Sequence, residues 1–492
     1  VSGSVLVPRL RRWIGFAAGD TVARLLLQVG VTAVLARLVA ADDFGAAALA
    51  LALVTVVATF VGAPFEEALA QRRVLRRPDL DAALSVSLLT AVAGLAVCAG
   101  AGVGMALVYE RADLAVLVPA AALLLFPHAL LHVAMALGRR RRRFGAINAA
   151  NLGGNAIGAA VAVALGLLGF GIWALIAFRV ATVLATAALL VRALRFRPGL
   201  TGRLSRIVPF LGFARTVLFA RTTENLAYVV LNGLVGYIFG LTALGYANMA
   251  LRIVEPVRGA VAAIGHNLTF AIFKAEGRDA ARAADAVQAG VGQSAIITAP
   301  VFMGLACVAP VLIPLLAGPG WEEAVPIAAL IAIGGMVLMP SQILLAALSA
   351  AGRPQHALHA NLTGLAVLSA ALVALSGLGT AAIGLARLLA DVAQTTIVVG
   401  LGGAAAKVSR TGLLRRLAPA WASAAGMGAC VVGVYALMPD DVPRLGVLAT
   451  LVATGVVTYA ALLFALARAP LRALIAVALG RPHPGETEGI AR

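Results

Sequence analysis

The stretch Gln71-Arg72-Arg73-Val74-Leu75-Arg76-Arg77 opens a segment that closes on Gly138-Arg139-Arg140-Arg141-Arg142-Arg143. Between them lie two apolar runs, roughly 80–108 and 113–138, joined by the short turn Tyr109-Glu110-Arg111-Ala112. Each run exceeds the ~20 residues that a helix needs to cross a ~30 Å hydrocarbon core at ~1.5 Å per residue. Arginine crowds both ends of this hairpin, while its turn carries one. That asymmetry is the signature of two membrane spans whose ends face the side that retains basic residues.

The same alternation runs outward along the chain. With a cytoplasmic N-terminus, the inner segments hold Arg9, Arg11 and Arg12, the two clusters above, and the linker from Arg192 to Arg206. They continue with Lys274, Arg278 and Arg282, then Arg353, Lys407 to Arg416, and Arg468, Arg472, Arg481 and Arg492. The outer segments keep only Arg37, Arg111 and Arg444. The fold class expected is therefore all-α, a polytopic integral membrane protein with about fourteen transmembrane helices. Its expected location is the bacterial cytoplasmic (inner) membrane, with both termini cytoplasmic.

Composition agrees. The chain is 62% hydrophobic and 12% charged, which excludes an ordinary soluble domain. Its net charge of +18 follows from the topology rule and from attraction to anionic lipid headgroups, so no nucleic-acid partner is expected. Cys98, Cys307 and Cys430 all lie in apolar runs and read as small packing residues. Residues 1–13 lack a separate apolar core and cleavage site, so the first span is expected to be its own insertion signal. No loop is long enough for a fused ATPase, glycosyltransferase or periplasmic catalytic domain.

Two basic linkers divide the spans. The first six fall in 1–200, the next six in 201–407, and two more in 408–492, suggesting two pseudo-symmetric six-helix lobes followed by a helix pair. A trace of internal repetition supports this division. Asp42-Asp43-Phe44-Gly45-Ala46-Ala47-Ala48-Leu49-Ala50-Leu51 recurs, loosely, as Thr242-Ala243-Leu244-Gly245-Tyr246-Ala247-Asn248-Met249-Ala250-Leu251. Parallel repeats of this kind often enclose a substrate site.

Ionisable groups inside a span cost several kcal/mol, about 2.5–3.5 on insertion scales, and normally face a bundle interior. They gather at the front of each expected half. The first span carries Asp20, Arg24 and Gln28 on one face, and the second ends in Glu66 and Glu67. The seventh carries Arg215, Arg221, Glu224, Asn225 and Asn232, and the eighth Asn248, Arg252, Glu255 and Arg258. The twelfth has Arg387 and Asp391 at i, i+4. Local ion pairs would account for any one of these. As a set, arginine exceeds acid unless Glu66 and Glu67 reach the same cavity. An unpaired guanidinium there suits a pyrophosphate or an anionic sugar.

Other candidates read as structural. His128 and His132, at i, i+4, lack a third metal ligand and read as buried, hydrogen-bonded packing residues. Gly100, Gly102 and Gly104 read as a close-packing face. No catalytic set, metal site or cofactor motif is present in the sequence.

Several of these residues resemble a known family. Leu35-Ala36-Arg37-Leu38-Val39 followed by Asp42-Asp43-Phe44-Gly45 is similar to a signature of polysaccharide transporters in the multidrug/oligosaccharidyl-lipid/polysaccharide (MOP) flippase superfamily, with Ala41 where proline is usual. Glu66 to Arg73, Gly236 to Gly240 with Leu244 to Arg252, Gly318 with Trp321 and Ala324, and Ala350 to Pro354 resemble its other landmarks. His266-Asn267 departs from a Phe-Pro pair common there.

The resemblance implies a Wzx-type flippase that moves an undecaprenyl-pyrophosphate-linked oligosaccharide from the inner to the outer leaflet by alternating access. Arg24, Arg215, Arg221, Arg252 and Arg258, with Gln28, Asn225 and Asn248, would contact substrate. Asp20, Glu224, Glu255 and Asp391 would tune charge or couple transport to a proton or sodium gradient. Spans thirteen and fourteen would form a groove for the lipid tail. Partners implied are lipid-linked oligosaccharide, membrane lipids, and a polysaccharide polymerase with its export machinery. A multidrug or metabolite antiporter of the same superfamily is the alternative, as is a membrane-embedded glycan polymerase or ligase.

Overall fold

The computed structural model describes residues 27–62, 65–66, 68–69, 75–201, 208–276, 280–350, 353, 355–403, 408–439 and 441–466. All of its regular structure among these is helical. In chain order the helices are α1 (Leu27–Leu38), α2 (Ala41–Phe60), α3 (Arg77–Val108), α4 (Leu114–Ala122), α5 (Leu125–Arg140), α6 (Phe144–Leu167) and α7 (Ile172–Leu194). They continue with α8 (Val208–Glu276), α9 (Ala280–Ala317), α10 (Ala324–Ala350), α11 (Gln355–Ala374), α12 (Ala381–Ile397), α13 (Arg410–Ala436) and α14 (Arg444–Leu466).

Among the described residues, 12 helical stretches are long and apolar enough to cross a membrane, and α1 is a shorter apolar helix. The helix count read from the sequence is therefore approximate. One span differs in form. The run expected over 113–138 is two helices, α4 and α5, with a turn at Leu123 and Leu124. The two spans expected over 208–273 are the two halves of α8, which break at Gly240, whose φ of 86° leaves the helical region.

Side-chain size sorts the helices. The Ala-rich α2 and α10 are the most enclosed, with 67% and 72% of their apolar windows buried. Large aliphatic side chains instead point outward, as Leu89, Val92, Val97, Val103 and Leu107 do along α3. Such exposure would be costly in water and is what a hydrocarbon solvent calls for.

The chain forms two compact units. Unit 1 runs through Arg252 and includes Leu316–Gly318; unit 2 begins at Ile253 and takes the remainder. Within unit 1 the repeated segments meet. A side-chain carbon on Gly45 would collide with the Leu241 carbonyl oxygen, and one on Gly245 with that of Ala41. Each glycine thus faces the residue just before the other copy, a reciprocal, two-fold-like joint offset by 200 positions. Two helix starts, with their partial positive charges, converge here, and Asp42 and Asp43 in the first turn of α2 offset them.

Arg111 closes this joint. It pairs with Asp42, donates to Asp43 at 2.5 Å and to Asp113 at 3.0 Å, and Thr242 donates to Asp42 at 3.3 Å. Burial opposes the Arg111 charge, but its hydrogen bonds to Asp113 and Asp43 and the field of Asp42 outweigh that and raise its pKa above the ordinary arginine value. The Asp-Phe-Gly signature thereby acquires a physical meaning. Asp43 holds Arg111, Phe44 lies 5.3 Å beneath the Arg252 guanidinium, and Gly45 permits backbone contact.

Candidate functional site

Unit 1 contains a polar cavity of about 450 Å³. Helical spacing builds its walls. From α2 come Leu51, Thr55, Ala58 and Thr59; from α5, His128, His132, Met135 and Arg139; from α7, Arg179 and Val183. Glu66 and, from α8, Asn225 complete the polar lining, and Asn225 Nδ2 donates to Thr59 Oγ1 at 3.0 Å.

One wall is a continuous polar chain. His128 Nδ1 lies 3.3 Å from His132 Nε2, and His132 Nδ1 lies 2.5 Å from Glu66 Oε2. Arg139 donates to the other Glu66 oxygen at 2.9 Å. Gly62 makes the approach feasible: its φ of 153° ends α2, and a Cβ there would meet His132 Cβ at 3.0 Å. Opposite this wall stands Arg179, which has no carboxylate partner among the described residues and lies within electrostatic range of His128 and Arg252.

The residues singled out from the sequence have separate fates. Asp20 and Arg24 lie outside the described residues. Arg215, Arg221 and Glu224 fall on the helical backbone of α8, with side chains outside the described set. Gln28 is exposed on α1. Asn225 lines the cavity. Asn248 bridges the Gly240 break, donating to Asn232 Oδ1 at 2.8 Å and accepting from the Tyr228 hydroxyl at 3.3 Å. Arg252 sits over Phe44.

Glu255, Arg258, Arg387 and Asp391 form one cluster in unit 2. Arg258 Nη2 donates to Asp391 Oδ2 at 2.5 Å and to the Ile331 carbonyl at 2.6 Å. Arg387 reaches Asp391 at 3.4 Å and Glu255 at 3.5 Å, and Glu255 lies 3.6 Å from Arg258. Gly334 and Gly335 of α10 leave the space it occupies. The Nε atoms of Arg258 and Arg387 are buried without a hydrogen bond among the described residues.

Unit 2 also carries an apolar groove of about 560 Å³ along α9, α13 and α14. Pro300, Val301, Gly304, Met427, Leu451 and Tyr459 are among its lining residues.

Comparison with known proteins places this architecture. A family model described as "Polysaccharide biosynthesis protein" matches residues 34–326. The chain belongs to that family. A relative, the succinoglycan biosynthesis transport protein ExoT of Rhizobium meliloti (strain 1021), is 25% identical over 349 residues, covering 70% of this chain and 69% of that protein. Among solved structures, the lipid II flippase MurJ in an inward closed conformation is similar, with a TM-score of 0.74, 11% identity, and coverage of 91% of this chain and 98% of that one. An inward-facing multidrug resistance MATE family transporter of the MOP superfamily gives a TM-score of 0.55 at 13% identity, covering 79% and 94%. These two likenesses concern the fold alone.

Sequence reasoning passed over much of the cavity of this polysaccharide-biosynthesis family member. His128 and His132 read as packing, and Thr55, Thr59, Arg139 and Arg179 were not singled out as site residues. A signal was present: His128, His132, Met135 and Arg139 follow one helical face, and Arg179 is an arginine inside an otherwise apolar span.

Proposed function

We propose that this protein is a flippase moving an undecaprenyl-pyrophosphate-linked oligosaccharide from the inner to the outer leaflet for surface-polysaccharide assembly. The observation that carries the reading is an arginine-bearing cavity of about 450 Å³ inside a membrane-spanning bundle of a polysaccharide-biosynthesis family. Such a cavity suits a sugar-pyrophosphate head, because a guanidinium grips phosphate oxygens with paired N–H donors. The apolar groove along α9, α13 and α14 suits a polyprenyl tail, which needs only apolar contact.

In this reading the protein carries out transport without bond-making chemistry. Arg24, Arg215, Arg221 and Arg252 offset substrate charge, assisted by Gln28, Asn225 and Asn248, and Arg179 joins them, while Arg258 stays in its buried pair with Asp391. Asp20 and Glu224 tune that charge, Glu255 and Asp391 hold the arginines of unit 2, and an ion gradient of protons or sodium drives the cycle. The lobes 1–200 and 201–407 rock to alternate access, with 408–492 guiding the tail. The membrane is the bacterial inner membrane, both termini are cytoplasmic, and the product passes to a polymerase and export machinery.

The test is the leaflet location of lipid-linked oligosaccharide in cells with and without the gene, probed from outside with a glycan-modifying enzyme that cannot cross. Accumulation of inaccessible glycan on deletion is the expected result. Unchanged amount and sidedness would sink this reading and favour efflux of another solute.

A further inference from the structure

Substrate charge alone does not account for the chain of titratable groups along one cavity wall. Resting on the transport reading above, we propose that Glu66, His132 and His128 form the proton-coupling relay of this protein, loaded from the cavity water.

Hydrogen-bond direction sets the resting state. Glu66 as a carboxylate only accepts, so His132 Nδ1 carries the proton between them. A neutral His132 then has a bare Nε2, which must accept, so His128 donates from Nδ1 across the 3.3 Å contact. Both imidazoles are thereby Nδ1–H tautomers. The remaining His128 Nε2 has no protein partner among the described residues, on a ring that lines the cavity.

Loading is a balanced proton shift. A hydronium ion in the cavity gives its proton to His128 Nε2 and leaves water. The His128 Nδ1–H bond breaks as a bond from that proton to His132 Nε2 forms. His128 ends neutral as the Nε2–H tautomer, and His132 ends as an imidazolium beside the Glu66 carboxylate. No oxidant or further reactant takes part.

The surrounding charges favour that end point. Arg179, from α7, repels a positive charge left on His128, whereas Glu66 attracts one on His132. Arg139, from the same helix as the histidines, holds the far oxygen of Glu66. Among the described side chains the other packed elements add no competing charge at this wall: α2 presents Thr55 and Thr59, α8 presents Asn225, and α4 and α6 contain no ionisable residue, while Arg215, Arg221 and Glu224 of α8 lie outside the described side chains. The carboxylates of α3 are engaged elsewhere, Asp79 with the Arg76 amide at 3.0 Å and Asp81 with the Gly199 amide at 3.1 Å. Nor do the three relay groups converge on one point, and no group of three or more His, Cys, Asp or Glu among the described residues could hold a metal ion.

The relay can be read directly in the full chain, labelled with ¹⁵N-histidine and held in lipid nanodiscs. Six histidines give resolvable signals, and His128→Gln and His132→Gln assign two of them. At neutral pH both rings should show the Nδ1–H tautomer. On acidification the doubly protonated signature should arise on His132 in the same step that converts His128 to Nε2–H. A second proton resting on His128, or two rings that titrate independently, overturns the relay.

Its use in transport is read by collapsing the pH gradient with nigericin in cells exporting the glycan. Gene-dependent export should fall at least about tenfold, and both glutamine variants should export slowly and ignore the ionophore. Wild-type, gradient-sensitive export by both variants overturns the coupling role alone. Glycan sidedness that ignores the gene overturns the transport reading, and the coupling with it.

Discussion

Two clusters of the same residue types have opposite characters. In unit 2, Arg258 and Asp391 are 3–4% exposed and bind each other, with glycines of α10 closing over them. In unit 1, Glu66, Arg139 and Arg179 border open volume, and Arg139 is about half exposed. A buried ion pair is held by its partner and by little else, because removing one member strands a charge in a low dielectric. A charge on a cavity wall keeps water as a second partner. It can therefore exchange that water for a ligand or a proton. The difference between a joint and a site lies in what else can solvate the charge, and not in the residue types.

Breaking the unit 2 pair should have the largest effect on stability. Asp391→Ala leaves Arg258 and Arg387 with Glu255 as their one remaining carboxylate among the described residues, and should cost about 3–5 kcal/mol. The measurement is the yield and thermal unfolding of the folded protein in detergent. Replacing both members together, Arg258→Met with Asp391→Leu, should recover most of that loss; failure to recover would mean the charges do more than neutralise each other.

The cavity should show the reverse pattern. Arg179→Ala should leave protein level and melting near wild type, while lowering glycan export about tenfold or more, the loss expected from one charge-assisted hydrogen bond of ~1.5–3 kcal/mol. A drop in folded yield equal to that of Asp391→Ala would erase the contrast. Glu66→Gln, which still accepts from His132, should cost about 1 kcal/mol of stability, seen as a small shift in unfolding temperature.

Asp42→Asn at the Arg111 joint sharpens the lower end of the scale. Asp42 is 49% exposed and shares Arg111 with Asp43 and Asp113, so its loss should cost less than about 1 kcal/mol and diminish further at high salt.

Much of this fold is legible in the sequence because the bilayer imposes two rules at once, span length and basic-residue sidedness. Those rules place α3, α6, α7 and α14 within a few residues. They say less about 113–138, where two short helices and a turn cross the same distance as one helix. The pair Arg387 and Asp391 is visible at i, i+4, but its partner Arg258 lies 133 residues from Asp391, beyond any local pattern. The cavity was hidden for the same reason. His128 and His132 form an ordinary helical pair until Glu66, 66 residues before His132, is brought against them. The repeat around Gly45 and Gly245 is visible in the sequence, but the contact between its two copies is not, because likeness of two segments says nothing of their proximity.

That reciprocal glycine joint has a consequence for how such proteins are read in bulk. Statistical contact inference relies on pairs of positions that vary together, one side chain compensating another. At Gly45 and Gly245 each hydrogen faces a main-chain oxygen, which no substitution can trim. Neither position can drift, so neither can covary, and the tightest crossing in unit 1 would leave no correlated trace in an alignment. Its record is positional identity alone, and the two halves of this chain hold a copy each.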